Sequence, residues 1–367
     1  MTNNRFDKRL ERLPTEILNR IAQIDELKGQ WIAGAKLNPQ VLGRLKRSVL
    51  ITSTGASTRI EGARLSDTDV EKLMSGISLQ KFSNRDKQEV KGYFELLLNV
   101  FDAWQHIRFS ENTIKHFHKE LLKHAEKDER HRGEYKKKEN KVMMVDSFGK
   151  PLGTLFETTP AYLTSKEMQE LVEWTQKALT GLPDRQAGKK YHPLLIVGNF
   201  IVEFLNIHPF EDGNGRLSRI LTNLLLLREG YLYMPYVSHE KLVEDSKPEY
   251  YMALRKSQKT FKPACRTGRS ERENIVPWLE FFLLVFLEQS KAAINLLSAE
   301  NIEKLLSPKQ LAIWQYLLSV EETTPMEIAM KTKIARPTLN QALDRLLSFK
   351  KIERLGLGRS TRYRKLG

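Results

Sequence analysis

The stretch "HPFEDGNGRLSR", His208 to Arg219, holds a histidine, two acids, a Gly-Asn-Gly turn and two arginines three residues apart. It joins two long apolar runs, "HPLLIVGNFIVEFLNI" from His192 and "LSRILTNLLLLREG" from Leu217. Both runs are apolar nearly all round at helical spacing, the pattern of helices buried on every side. A loop between two such helices is drawn inward, where its polar groups need partners. Gly213 and Gly215 permit the tight backbone that turns several N–H groups the same way. The helix that follows adds free N–H groups and the positive end of its dipole. Arg216 and Arg219 share one face of that helix. These features point to an anion larger than a carboxylate. A polyphosphate with a metal would satisfy the arginines, the amides and Asp212 together. His208 is the group that can take a proton near neutral pH. The alternative is a helix–turn–helix joint whose ions pair with one another.

Outward from this stretch the chain reads as mostly helical. "LGRLKRSVLITST" from Leu42 is apolar at helical spacing, and "GASTRIEGARLS" follows it. There Ser57 is expected to cap a short turn, with Glu61 one turn on and Gly62 as its stop. Ser66 with Asp69 marks the next helix start. "EVKGYFELLLNVFDAWQ" and "TIKHFHKELLKHA" are amphipathic helices. Val142 to Val145 and Leu152 to Phe156 flank Asp146, Ser147, Phe148 and Gly149, which predicts a β-hairpin inside a helical protein.

The 367 residues suffice for two or three domains. A formal net charge of +15 favours anionic partners, with a solvated basic surface as the alternative. The single cysteine, Cys265, excludes an internal disulfide and suits a reducing compartment. The longest greasy run, "WLEFFLLVFLEQ" from Trp278, is too short to span a bilayer. A cytoplasmic protein without a membrane segment is the expectation.

From Ser307 the character changes. Leu311, Ile313, Trp314, Leu317 and Leu318 suit a first helix. Thr324 caps a second with Pro325 at its first position, and Pro337 starts a third. Ile352 to Tyr363 reads as two short strands around "GLGRS". This is the pattern of a winged helix. Thr338, Asn340, Gln341 and Arg345 are expected on the exposed side of its third helix. Lys350, Lys351, Arg354, Arg359, Arg362 and Arg364 are expected to contact phosphates if the partner is DNA. A protein partner is the other option.

"HPFEDGNGRLSR" resembles the signature of the Fic family, His-x-Phe-x-Asp/Glu-Gly-Asn-Gly-Arg-x-x-Arg, at every defined position. "TIKHFHKELL", the hairpin, "PAYLTSKEMQELVEW" and the helix from His192 follow the family's order. The resemblance implies a mainly α fold: a Fic-type helical bundle with a β-hairpin flap, plus the C-terminal winged helix. The implied parts are an N-terminal helical region over 1–105, a Fic core over 106–260, a helical linker over 261–306 and the winged helix over 307–367. The implied activity is transfer of AMP from ATP to a hydroxyl side chain of a target protein. His208 would be the base and Phe210 a core anchor. Asp212 would bind Mg2+, and Gly213, Asn214 and Gly215 would form the anion hole, with the Asn214 side chain on the phosphates. Arg216 would bind the β-phosphate and Arg219 the γ-phosphate. Glu211 holds the variable position and should face solvent.

Three further features follow from the same resemblance. The flap, with Val142, Met143, Met144 and Val145, would pair with the target's backbone as an added strand. Tyr250 and Tyr251 resemble tyrosines of the adenine pocket. "STRIEG", Ser57 to Gly62, resembles the family's inhibitory motif, so Glu61 on a short helix would pair with Arg219 and block the γ-phosphate. Two function classes remain open: an autoinhibited protein adenylyltransferase, or a DNA-binding regulator whose Fic core senses a nucleotide. Removal of AMP from a modified target is a third. A homodimer stays open.

Overall fold

In the computed structural model the described residues are 4–34, 39–76, 84–145, 151–180, 191–261, 273–297, 306–349, 351–356 and 361–366. The hairpin turn Asp146 to Gly149, Cys265, Lys350, Arg359 and most of "GLGRS" lie outside them. The chain divides into two compact units, Met1–Ile294 and Asn295–Gly367.

The first unit is built on the two apolar runs. They form α8 (Pro193–Ile207) and α9 (Asn214–Arg228), which pack on each other with nearly every side chain buried. Around them lie α1 (Arg5–Leu10), α2 (Thr15–Gly34), α3 (Pro39–Ile60), α4 (Asp67–Met74), α5 (Asn84–Ala103), α6 (Glu111–Leu121) and α7 (Ala161–Thr180). Helices α10 (His239–Asp245), α11 (Lys247–Gln258) and α12 (Val276–Leu297) follow. The expected capping box holds at α4, where Ser66 and Asp69 bond reciprocally. Between α6 and α7 stands the hairpin, β1 (Lys141–Val145) antiparallel to β2 (Pro151–Glu157).

The expectation of a capped short turn at Ser57 is corrected. Helix α3 runs unbroken to Ile60, and Ser57 is fully buried in its last turns. Gly62 does end it, at φ +102°. Glu61 is therefore carried on the end of a 22-residue helix rather than on a short one.

The all-apolar reading of α8 overlooked Glu203, which is fully buried. It receives Arg9 Nη1 at 2.6 Å and lies 3.2 Å from Arg5 Nη2. Arg9 also pairs with Glu273 and lies 3.7 Å above the Phe261 ring. A carboxylate this deep is tolerable only when paired and hydrogen-bonded. The N-terminal helix is thus tied to the helix that ends at His208.

The second unit has its own core. Helices α13 (Pro308–Leu318), α14 (Pro325–Thr332) and α15 (Arg336–Ser348) enclose Ile313, Trp314, Leu317, Ile328, Leu339, Leu343 and Leu346. Strands β3 (Ile352–Leu355) and β4 (Arg362–Lys365) pair antiparallel beside them. Ser307 and Thr324 cap α13 and α14, each with a capping box. One expected surface residue is corrected: Arg345 is buried, 3.3 Å from Gln310 Oε1 and over the Phe349 ring. Its register on α15 points inward with Leu346. Asn340 and Gln341 are exposed and Thr338 is half-buried.

Removing Arg9 leaves buried Glu203 with the longer Arg5 pair and without its 2.6 Å partner. Arg9→Met should lower unfolding free energy by about 3 kcal/mol. Urea denaturation followed by tryptophan fluorescence would read this, and an unchanged midpoint would remove α1 from the core.

Candidate active site

The loop between α8 and α9 is shaped by two left-handed residues. His208 caps α8 at φ 53°, ψ 61°, and Gly213 precedes α9 at φ 79°. A left-handed histidine is strained, so its neighbours must hold it. Asn214 closes the loop on itself: Phe210 N–H donates to its Oδ1 at 3.0 Å, and its Nδ2 donates to Phe210 O at 2.9 Å. Both ends of the amide are thus engaged with the loop backbone, and a contact with phosphates would be made beside these bonds or in exchange for them. Phe210 is fully buried, as a core anchor should be, and stacks on His118 with centroids 3.8 Å apart.

His118 was not singled out by sequence. Its Nδ1 accepts from Gly133 N–H at 2.8 Å, so Nε2 carries the proton and faces Asp212 O at 3.0 Å. Burial pushes this imidazole down to about 4, which keeps it neutral. His208 is also pushed down to about 4, first by burial and next by the Lys136 charge. Its Nδ1 faces Leu205 O at 3.4 Å. A carbonyl can only accept, so the proton sits on Nδ1 and the lone pair on Nε2. That is the tautomer and the protonation state of a general base.

The charged residues of the motif are engaged with partners from other helices. Asp212 Oδ2 lies 2.9 Å from both Arg216 Nη2 and Arg85 Nη2. Arg216 Nη1 lies 2.9 Å from Glu89 Oε2. Burial raises the Asp212 carboxyl, but Arg216, the Gly213 N–H and Arg85 outweigh it and hold it below the usual range. Arg219 is buried and bonds Ser57 twice, Nε to Oγ at 2.7 Å and Nη2 to O at 3.0 Å. Its Nη2 also meets Glu61 Oε1 at 2.7 Å. The same carboxylate lies against Gly215, where any Cβ would collide with it. Glu61 thus occupies the start of α9, where the amides and dipole favour an anion.

Tyr250 is a buried core aromatic, 6.0 Å from Trp278 and 5.8 Å from Phe281 between ring centroids. Tyr251 is half-buried with its hydroxyl 3.4 Å from Ile60 O. Both stand close enough to Arg219 and Glu61 to feel their charges. Glu211 is exposed, as expected of the variable position. Val142, Met143, Met144 and Val145 form β1, which pairs with β2 with irregular register.

The motif, the hairpin, α8 and all but the last two residues of α9 fall within residues 108–226, which match the model of the Fic/DOC family. The chain carries a Fic domain. Over 219 residues it is 26% identical to the protein adenylyltransferase fic-1 of Caenorhabditis elegans, covering 58% of this chain and 37% of that protein. It is 31% identical over 91 residues to a probable protein adenylyltransferase of Aquifex aeolicus, covering 25% of each. The chain spans well under half the length of these curated relatives. A Fic family protein from Desulfovibrio desulfuricans shares the fold at TM-score 0.61 and 22% identity, covering 97% of both chains. Fic-1 of C. elegans shares it at TM-score 0.57 and 19% identity, covering 77% of this chain and 73% of that one.

Sequence reasoning missed Arg85, Glu89, His118, Lys136 and Asn140 around the Fic motif. Each lies far from it in the chain, and none belongs to a motif of its own. His118 shares the buried face of α6 with Ile114, Phe117 and Leu121, and that helical spacing is the signal by which it could have been found.

The two neutral histidines make the folded Fic domain acid-sensitive. Unfolded, each binds a proton near its ordinary value of 6.5; folded, near 4. As pH falls from 6.5 to 4 the unfolded chain takes up protons that the folded one refuses, so stability falls across that window. The upper bound is about 3 kcal/mol for each histidine. Denaturation midpoints measured between pH 7 and 4.5 should drop, and less so for His118→Phe once its own offset at pH 7 is subtracted. Equal slopes for the two proteins would remove His118 from this effect.

Proposed function

We propose that this chain is a protein adenylyltransferase held inactive by Glu61. The observation that carries the reading is the 2.7 Å pair between Glu61 and Arg219, with the same carboxylate lying on Gly215. A carboxylate on that spot blocks the place where a terminal phosphate would meet the second arginine. The names of the relatives support the activity, and ATP is the substrate it implies.

With Glu61 displaced, Arg219 and Arg216 would hold the γ- and β-phosphates, and the amides at the start of α9 would receive the anion. The target's hydroxyl oxygen attacks the α-phosphorus. The bond to the β-phosphate oxygen breaks and pyrophosphate leaves. The hydroxyl proton passes to His208 Nε2. Among the described residues no group of three or more His, Cys, Asp or Glu could hold a metal by itself. A half-exposed Asp212 carboxylate fits Mg2+ that takes its remaining oxygens from phosphates and water. Such an ion would neutralise charge on the leaving pyrophosphate. The hairpin would receive the target as an added strand, its edge providing backbone N–H and C=O groups.

Among the described residues no helix is long and apolar enough to cross a membrane. The reading places the work in a cytoplasmic setting where ATP is abundant. The DNA-binding alternative rests on the second unit, which we propose is a winged helix. It has less support: Arg345 is in the core, and Arg362 and Arg364 are paired with Glu322 and Glu353.

Labelling with radioactive ATP tests the proposal. Glu61→Gly should raise retained label about tenfold to a hundredfold, the equivalent of a charge-assisted bond of roughly 1.5–3 kcal/mol. Label that stays at the parent level with saturating ATP would remove Glu61 from control. In the Glu61→Gly background, His208→Ala should cost about a hundredfold or more while ATP still binds. Undiminished label there would end the assignment of His208 as base. Truncation after Leu297 should leave self-labelling intact, since the second unit has its own core.

A further inference from the structure

Four successive backbone carbonyls at the end of α8 are held by a short segment that enters β1. Lys136 Nζ donates to Ile207 O at 3.0 Å, and Lys136 N–H donates to Pro209 O at 2.8 Å. Asn140 Nδ2 donates to His208 O at 3.4 Å and to Phe210 O at 2.9 Å. The Lys136 ammonium gives its other two bonds to Asn140 Oδ1 at 2.8 Å and Thr158 Oγ1 at 2.9 Å. Thr158 Oγ1 lies 2.6 Å from Asn140 Oδ1, so the three side chains close on one another. Lys136 and Thr158 are buried. Asn140 immediately precedes β1, and Thr158 immediately follows β2.

We propose that Lys136, Asn140 and Thr158 form a clamp that fixes His208 in its left-handed turn and holds it in register with both roots of the hairpin. The clamp has two consequences, and both rest on the adenylyltransferase reading. A target strand laid on β1 or β2 would be positioned relative to the base through rigid, fully bonded side chains, which is what in-line attack requires. The ammonium would also keep the base unprotonated. Lys136 is itself faced by Glu139 and Glu167, and His208 by Lys136, Glu61 and Asp212. Removing Lys136 takes away the opposing cation, and Asp212 still faces His208 in the Glu61→Gly background, so the imidazole should titrate at higher pH. These are positioning residues: none is placed to touch ATP or the reacting atoms.

The test uses the full chain carrying Glu61→Gly, with Lys136→Met, Asn140→Ala or Thr158→Val added. Histidine ring NMR reads the titration of His208 directly, and single-turnover labelling reads the rate. Lys136→Met should shift the His208 midpoint upward by a half unit or more and move the acid limb of the pH–rate profile with it. Lys136→Met and Asn140→Ala should each lower kcat on the order of a hundredfold, with KM for ATP within a factor of about two. Thr158→Val keeps the shape of the site and should lower kcat by less, in the same direction. It stands in should Lys136→Met fail to fold, since its His208 ring would then shift away from the parent's position. An unmoved His208 midpoint in folded Lys136→Met, or an unmoved His208 ring in Thr158→Val, overturns the clamp. Absence of label from every protein would sink the adenylyltransferase reading, while the NMR titration would still decide the clamp.

Discussion

A guanidinium buried at the start of an apolar helix has to meet negative charge or hydrogen-bond acceptors in every state of the protein. Arg219 is that group. Without a nucleotide it draws on Ser57 and Glu61, both at the end of α3. Helix α3 must therefore lie where its last turn reaches the start of α9, and the helices that pack on α3 follow it. Isolation of Arg219 would cost several kcal/mol. The pairing of Glu61 with Arg219 is in this sense structural first. In the proposed reading its regulatory effect arises because a triphosphate would satisfy the same cation.

The neighbouring charges follow the same logic with a different geometry. Arg216 is held between Asp212 and Glu89, and Asp212 between Arg216 and Arg85. These pairs satisfy the motif's ions from within the protein, mostly through residues outside the motif; only Asp212 with Arg216 joins two ions of the motif itself. They are compatible with a nucleotide site, since phosphates and a cation could replace them pair for pair. Asp212 and Arg85 are the more exposed members, so exchange with an incoming ligand would begin there.

The loop itself is over-determined. Its strained His208 is gripped by Lys136 and Asn140 from one side, while Phe210 is stacked on His118 and bonded to Asn214 from the other. Two histidines, one a candidate base and one a scaffold, are both kept neutral by burial. Similar environments can serve different ends: the His118 ring bonds the Gly133 and Asp212 backbone, and the His208 ring stands at the mouth of the anion loop with Nδ1 towards Leu205 O.

The sequence alone was enough to establish the two buried helices, the turn between them, the hairpin and the short helices of the second unit. Those features depend on periodicity, caps and glycines, all of which act within a few residues. The Fic motif was legible for the same reason: its histidine, glycines and arginines sit on one loop and one helical turn. Only the tertiary structure decided that Ser57 lies inside a helix as an acceptor for Arg219, that Arg345 faces inward, and that the Asn214 side chain bonds the loop backbone. It alone brought Lys136, His118, Glu89 and Arg85 to the motif. Each of these depends on which groups meet across long stretches of chain. Burial then fixes hydrogen-bond partners and proton affinities that no local pattern encodes.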